Sequence, residues 1–400
     1  MNPQAQTIIP IPIIEEIIYL SQLKEKLSFR QSCKLFFHST NREFFPTITT
    51  TLCGCGEQGF EDGEALRAKF NYPEFGALDS SSNILYVSDT NNHVIRRIDL
   101  STNKVDTLCG TPTTKGFKDG IGSESQFNSP TGLALNEKEK VLYVSDSGNN
   151  AIRRVNLIDG RVDTLCGNGK RGSKDGIGNE ATFNYPKGLA FDSISNYLYV
   201  ADCNNNSIRR IILNERRVET LCGSGEGYVD GSFEESKFYY PYDIVLNSST
   251  EELYVSDCCN HVIRVISLKN RRVSTLCGTP QQEGYENGIH NQSKFKYPGG
   301  LGLDINSNCL YVTDGDNQVV RRISLSGEVR VSTLCGIVGK SGSRDGLNPT
   351  FNYPTGIVVD PHSQSLYVMD SNNNKVRKII DRSRILREES SPTAKNQKLE

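Results

Sequence analysis

Six carboxylates and six guanidinium groups recur in step along this 400-residue chain, and their pairing is the first chemistry it offers. Every Asp that closes an LYV-x-Asp string is followed seven residues later by an Arg: Asp89 and Arg96, Asp146 and Arg153, Asp202 and Arg209, Asp257 and Arg264, Asp314 and Arg321, Asp370 and Arg377. A ring of acids at one depth would suit a metal ion or acid–base work. An Asp at the start of a turn, paired with an Arg across the hairpin, would instead cap and clamp that turn. One active site needs one special repeat, so sixfold recurrence favours the structural pair. Other catalytic signals are sparse. His38, His93, His261, His290 and His362 form no HExxH or triad grouping, and no G-x-S-x-G or P-loop string occurs. No catalytic residue, metal ligand or cofactor is assigned, and the chain is expected not to be an enzyme.

The elements that must hold these pairs are set by a repeat. A marker Pro recurs at positions 73, 130, 186, 241, 298 and 354, and the Asp of each pair keeps the same spacing. A long period held six times means a repeat architecture. Each unit carries four short apolar runs, as in Gly132–Leu135, Val141–Val144, Ile152–Val155 and Val162–Leu165, separated by turns rich in Gly, Asn and Asp. Four antiparallel strands repeated radially predict an all-β, six-bladed β-propeller. Sandwiches lack so fixed a period, and helical solenoids need runs of period 3.6 that are missing here.

The order of the pieces predicts how the ring closes. TLCG strings begin at 51, 107, 164, 220, 275 and 333, the first ahead of any complete unit, while the last unit has none after it. Residues 46–54 should therefore supply the outer strand of the last blade, within a propeller spanning 46–380. Without it that blade would expose an unpaired edge. Strand direction alternates, so the links between blades share a face with the turns between second and third strands. Long segments such as Gly167–Phe183 lie there, and that face is expected to take a protein partner.

In the third unit the pattern is Gly167, Gly169, Gly172, Asp175-Gly176, Phe183, Pro186, Gly188, Leu198-Tyr199-Val200, Asp202, Asn205, Ile208-Arg209 and Ile211. It resembles the NHL repeat in its longer form, over roughly residues 46–380. The Asn-His pair that names that family stands only at Asn92-His93 and Asn260-His261, each followed by Val rather than Leu.

Lys plus Arg (45) nearly balances Asp plus Glu (47), so no global basic field calls for nucleic acid or an anionic membrane. No run of 18 apolar residues suggests a membrane span. The first apolar stretch lacks basic residues before it and is broken by Glu15-Glu16, against a secretory signal. Of twelve cysteines, Cys53, Cys109, Cys166, Cys222, Cys277 and Cys335 hold one place in six units. Equivalent cysteines in diverging sheets lie too far apart to bridge, so they read as buried thiols of a reducing, cytoplasmic or nuclear compartment.

Residues 1–45 read differently, as two short amphipathic helices. Ile9-Pro10, Ile13-Ile14, Ile17-Ile18 and the stretch from Leu23 through Leu27 and Cys33 to Phe36 resemble an F-box. Pro12 and Ser32 depart from its usual pattern. The resemblance implies that Pro10, Ile14, Ile17, Ile18, Leu23, Leu27, Cys33 and Phe36 bind the Skp-type adaptor of a cullin–RING ubiquitin ligase, with the propeller as substrate receptor. A helical cap on the ring is the alternative. Residues 381–400 read as a disordered polar tail.

Breaks in the sixfold symmetry are the better binding candidates. The Gly after Pro-x is kept at 132, 188, 300 and 356, but blade one has Glu74-Phe75 and blade four Tyr242-Asp243. Two aromatics with adjoining acids at a funnel mouth would grip a basic or apolar peptide. The leading expectation is therefore a protein-binding scaffold. RNA binding, as in NHL propellers of TRIM-type proteins, would use Lys115, Lys118, Lys170, Arg171 and Lys174, which Glu57, Glu61, Asp62 and Glu64 oppose. A metal-dependent propeller lyase would need His and acidic ligands converging on the axis. The second Arg of each IRR string is expected to lie over neighbouring apolar surface.

Overall fold

The computed structural model describes residues 47–363 and 365–381. The expected helices over residues 1–45, with the F-box-like positions, lie outside the described residues, as does the chain beyond Asp381. Asp381 itself is 2% exposed, one residue past the expected boundary of the propeller.

Six antiparallel sheets are arranged as the blades of a propeller. In the third blade the order from the axis outward is Pro186–Asp192, Tyr197–Asp202, Ser207–Ile212 and Arg217–Cys222. A short fifth strand, Gly176–Ile177, lies outside these. Four strands per blade were expected, and five of the six sheets add this two-residue edge. It forms because the Asp-Gly turn folds the incoming loop back along the fourth strand, with Gly63 at φ 129° and Gly231 at φ 158°. The last blade has four strands, Pro354–Val359, Ser365–Asp370, Lys375–Ile380 and, from the other end of the chain, Ile48–Cys53. Thr50 pairs with Lys378 and Thr51 with Arg377, so the earliest strand closes the ring.

The strands are short, β-branched and apolar on both faces because each sheet is packed from both sides. Six hydrophobic clusters fill the slots between neighbouring blades. One joins Tyr199 and Ala201 of blade three to Ile244, Leu253 and Val255 of blade four. Another joins Cys53, Tyr367 and Met369 of the last blade to Phe70, Leu85 and Val87 of the first, so closure buries a core of its own. All described cysteines are free, and those of the six TLCG strings are buried, which pushes the Cys53 thiol up to about 12.

Every Asp–Arg pair is made, at 2.6 or 2.7 Å, between side chains with no exposure. In blade three Asp202 Oδ2 takes Arg209 Nη1 and Asn205 Nδ2, while Oδ1 accepts the Asn184 backbone N–H at 2.8 Å. Arg209 also donates to the Thr182 and Lys174 carbonyls and to Asp175, at 2.6 Å. Asp175 in turn accepts from the N–H and hydroxyl of Thr220 on the fourth strand. The Arg thus ties the turn, the inter-blade loop and the outer strand, and a bulge between Ile208 and Arg209 sets its aim. Its second carboxylate, absent from the sequence reading as a partner, is the Asp of the Asp-Gly step. Asp62, Asp119, Asp230 and Asp345 repeat it, and Asn287 substitutes in blade five. Aromatic rings flank the guanidinium, Phe60 and Phe70 at 4.9 and 4.7 Å around Arg96.

The second Arg of each IRR string behaves differently. Arg97 and Arg154 form half-exposed cross-strand ion pairs with Asp106 and Asp163, while Arg210 and Lys378 lie over the rings of Tyr197 and Tyr367. The two classes should separate on mutation. Asp202→Ala strands a buried guanidinium and should cost about 3–5 kcal/mol. Arg154→Ala removes an exposed pair and should cost less than about 1 kcal/mol. Urea unfolding of the two variants checks this, and equal losses would contradict it.

Candidate functional site

The first strands of the blades touch their neighbours in a closed ring, so the residue after each marker Pro faces the axis. These residues are Glu74, Thr131, Lys187, Tyr242, Gly299 and Thr355. They form a floor across the channel. The Lys187 ammonium pairs with Glu74 Oε1, which also accepts the Tyr242 hydroxyl at 2.6 Å. Lys187 lies over the Tyr242 and Tyr185 rings, 4.4 and 5.3 Å from their centroids. Thr90 donates to Glu74 Oε2, and Thr355 donates to the Glu74 carbonyl. Burial works against the Lys187 charge, yet the Glu74 carboxylate and the nearby phenols raise its pKa above the ordinary lysine value.

Phe75 and Asp243, expected with Glu74 and Tyr242 at a funnel mouth, do not line the opening, although Phe75 packs on Tyr242 of its floor. Phe75 is 5% exposed and stacks on Tyr242 with centroids 5.5 Å apart. Asp243 is also buried, and its carboxylate accepts the N–H groups of Ile244 and of Leu301 in the next blade. Both occupy the position that is Gly elsewhere, where first strands of adjacent blades approach closely: a Cβ on Gly132 or Gly300 would collide with the backbone of the following blade. Asp243 fits into the seam between blades four and five, whereas Phe75 turns to the axis and meets Tyr242 of the opposite blade. Glu74 and Tyr242 do border the cavity, as its floor.

The opening is built from the residue before each Pro. Tyr72, Ser129, Tyr185, Tyr240, Tyr297 and Tyr353 all take left-handed backbone, with φ from 51° to 60°. Non-Gly residues hold that conformation only when the surroundings dictate it. Here the preceding blade does so: Asn374, Asn150 and Asn206 accept the N–H of Tyr72, Tyr185 and Tyr240 at 2.9–3.0 Å, and Gln318 accepts that of Tyr353. His93 and His261 fill the same place, their Nδ1 atoms accepting the N–H of Ser129 and Tyr297 at 3.0 and 3.3 Å. Both imidazoles are thereby held neutral with the proton on Nε2, and burial lowers both pKa values. The two histidines of a hypothetical metal site are structural acceptors in separate blades. Among the described residues no three His, Cys, Asp or Glu side chains converge on a metal-binding position.

Five tyrosines therefore ring a cavity of about 460 Å³ above the Glu74–Lys187 floor, a size that suits a small ligand or a side chain. Its walls add Thr90, Asn91, Cys258 and Cys259. No hydrogen bond is made by the five rim hydroxyls among the described residues. Burial pushes the Tyr353 phenol up to about 12, so the rim is protonated at neutral pH. In blade two the ring is interrupted: Ser129 replaces Tyr, and Gly148 stands where Asn91, Cys259 and Asp316 carry side chains. Sequence reasoning passed over the rim although the Tyr-Pro step was legible five times, because a recurring residue was read as structural. Lys187 was a break in symmetry of the same kind as Glu74.

No family model matches the chain. It is 29% identical over 332 residues to the protein SUPPRESSOR OF QUENCHING 1, chloroplastic, of Arabidopsis thaliana, covering 80% of this chain and 31% of that one. To the human NHL repeat-containing protein 2 it is 28% identical over 306 residues, covering 69% of this chain and 42% of the other. The chain thus spans less than half the length of these relatives. Among solved structures, an auxiliary nutrient binding protein from Bacteroides thetaiotaomicron superposes with a TM-score of 0.64 at 18% identity, over 83% of this chain and 76% of that one. That likeness concerns the fold. No helix among the described residues is long and apolar enough to cross a membrane.

Asp243 gives the inter-blade seam a pH dependence. Burial raises its carboxyl from 3.8 to about 7, against the two backbone N–H bonds and Lys187. The folded state holds the proton more tightly than an unfolded chain, so this contribution to stability is complete below about pH 4 and is lost as pH rises through about 7. The unfolding free energy of the natural chain should therefore fall relative to Asp243→Asn over that range, by a few kcal/mol at most. A constant difference between the two in parallel urea titrations would contradict it.

Proposed function

We propose that this chain is a non-enzymatic interaction module in which the tyrosine-rimmed funnel is the receptor site of an NHL-type propeller. The observation that carries the reading is the open axial cavity, whose five rim hydroxyls make no hydrogen bond among the described residues. Aromatic side chains with a free polar tip suit binding surfaces, since they bring large contact area and a hydrogen bond at little entropic cost. The floor supports binding rather than catalysis: its ionised groups are spent on each other, and the Tyr242 hydroxyl donates to Glu74. Similarity to NHL repeat-containing protein 2 is consistent with this assignment.

In the finer form of the proposal the receptor serves a ubiquitin ligase, with the F-box-like segment from Ile9 to Phe36 docking a Skp-type adaptor. That form rests on the sequence resemblance alone. Affinity capture with the full chain tests both levels. Tyr240→Ala/Tyr353→Ala should lose the propeller's partners while keeping the adaptor, and Ile14→Asp/Ile17→Asp should do the reverse. Partners retained by the tyrosine variant would remove the funnel as receptor, and an adaptor absent from every capture would remove the ligase form. Capture of single-stranded RNA with a steep loss in salt would favour the RNA-binding alternative instead.

A further inference from the structure

The charges around the funnel do not cancel. Glu74 is matched by Lys187, and Glu283 by Lys296 at 3.4 Å. Asp316 is left over: it makes no ion pair among the described residues, is half-buried, and occupies the rim position that is Asn91 in blade one and Cys259 in blade four. Its field reaches both neighbouring rim tyrosines, since burial chiefly, and Asp316 with it, raises the phenols of Tyr297 and Tyr353. The adjoining Cys258 thiol is pushed up, by its bond with Cys259 and by burial, and carries no charge.

The site already holds one cation in the manner a second would need. Lys187 sits against the faces of Tyr185 and Tyr242 with Glu74 as counter-charge. One layer higher, the other rim tyrosines surround the cavity. Asp316, outside its immediate lining but at the turn position that Asn91 and Cys259 bring to it, supplies an unspent negative charge beside Tyr297 and Tyr353. An anionic ligand would meet Glu74 and Asp316 while the floor's ammonium is engaged with Glu74. The interruption at Ser129 and Gly148 leaves one side of the rim low, where a chain bearing the inserted group can leave the opening.

We propose that the funnel accepts an organic cation, the guanidinium or ammonium head of a basic side chain on a partner polypeptide, seated among the rim tyrosines with Asp316 as its counter-charge. This deepens the receptor reading and rests on it. Cation–π contact strengthens as water is excluded, and a recessed aromatic ring excludes it. The carboxylate adds long-range attraction that salt screens.

The test is calorimetric titration of the full chain with three peptides, acetyl-Gly-Arg-Gly amide, its citrulline counterpart and its glutamate counterpart. Citrulline keeps the shape of arginine and removes the charge. The arginine peptide should bind about tenfold more tightly than the citrulline peptide, a ratio in the range of a desolvated cation–π contact. It should weaken several-fold in Asp316→Asn and be lost in Tyr240→Ala/Tyr353→Ala, with unfolding midpoints of the variants confirming that they fold. Equal binding of arginine and citrulline peptides, preference for glutamate, no response to Asp316→Asn, or no binding up to about 10 mM would each overturn the proposal. If partner capture still depends on Tyr240 and Tyr353 in that event, the receptor reading stands and only the cation is refuted.

Discussion

A guanidinium with no exposure is costly unless its charge is balanced and most of its N–H groups are bonded. Six such groups, Arg96 to Arg377, govern this propeller. Each binds through its two Nη groups, taking one carboxylate from the turn of its own sheet, a second polar side chain from the inter-blade loop and backbone carbonyls besides, as Arg96 does with Asp89, Asp62 and the carbonyls of Lys69 and Glu61. The Nε of all but Arg377 has no hydrogen-bond partner among the described residues. The long loops are therefore not loose. They are pinned to the sheet at the residue that most needs pinning, and the short segment from Phe70 or Phe183 to the marker Pro inherits a fixed starting point.

From that point the order of events along each repeat makes the opening. The Asp that grips the Arg also holds the backbone two residues before the Pro, through N–H bonds such as Asn71 to Asp89 and Asn184 to Asp202. The next residue is forced into left-handed backbone and anchored by the previous blade, which directs its side chain to the rim. The Pro enters the first strand, and the residue after it meets its five counterparts at the axis. A structural ion pair thus positions binding residues it never touches. Because the scaffold repeats so closely, the rim and floor positions are free to vary, and the chain uses that freedom at Glu74, Lys187, Ser129, Cys259 and Asp316.

The architecture was legible in the sequence because period and register are one-dimensional properties. The recurrence of Pro and Asp, the TLCG string ahead of the first complete unit, and the seven-residue step from Asp to Arg each had one geometric meaning. The site was only half legible. Glu74 and Tyr242 stood out as departures from a Gly-bearing pattern, but so did Phe75 and Asp243, which the same test could not separate from them. Glu74 and Tyr242, one step after the Pro, border the cavity. Of the residues two steps after it, Asp243 enters the seam between blades and Phe75 packs on Tyr242 across the axis, a difference that strand alternation does not set because the register shifts after each of these prolines. The tyrosines were hidden by their regularity. The second polar partner of each Arg lies 32–34 positions upstream, too far for local pairing rules to find.

The closing strand has a mechanical meaning. Ile48 is paired with Ile380, Thr49 with Ile379 and Thr50 with Lys378, so the two ends of the described chain emerge from the same rung of one ladder. Tension drawn between them loads those rungs one after another, as a zip is opened, rather than all together. The ring's fastening is thus its most compliant element under a pull applied at the ends, and the cluster of Cys53, Met369 and Phe70 beneath it is what a first opening would expose to water.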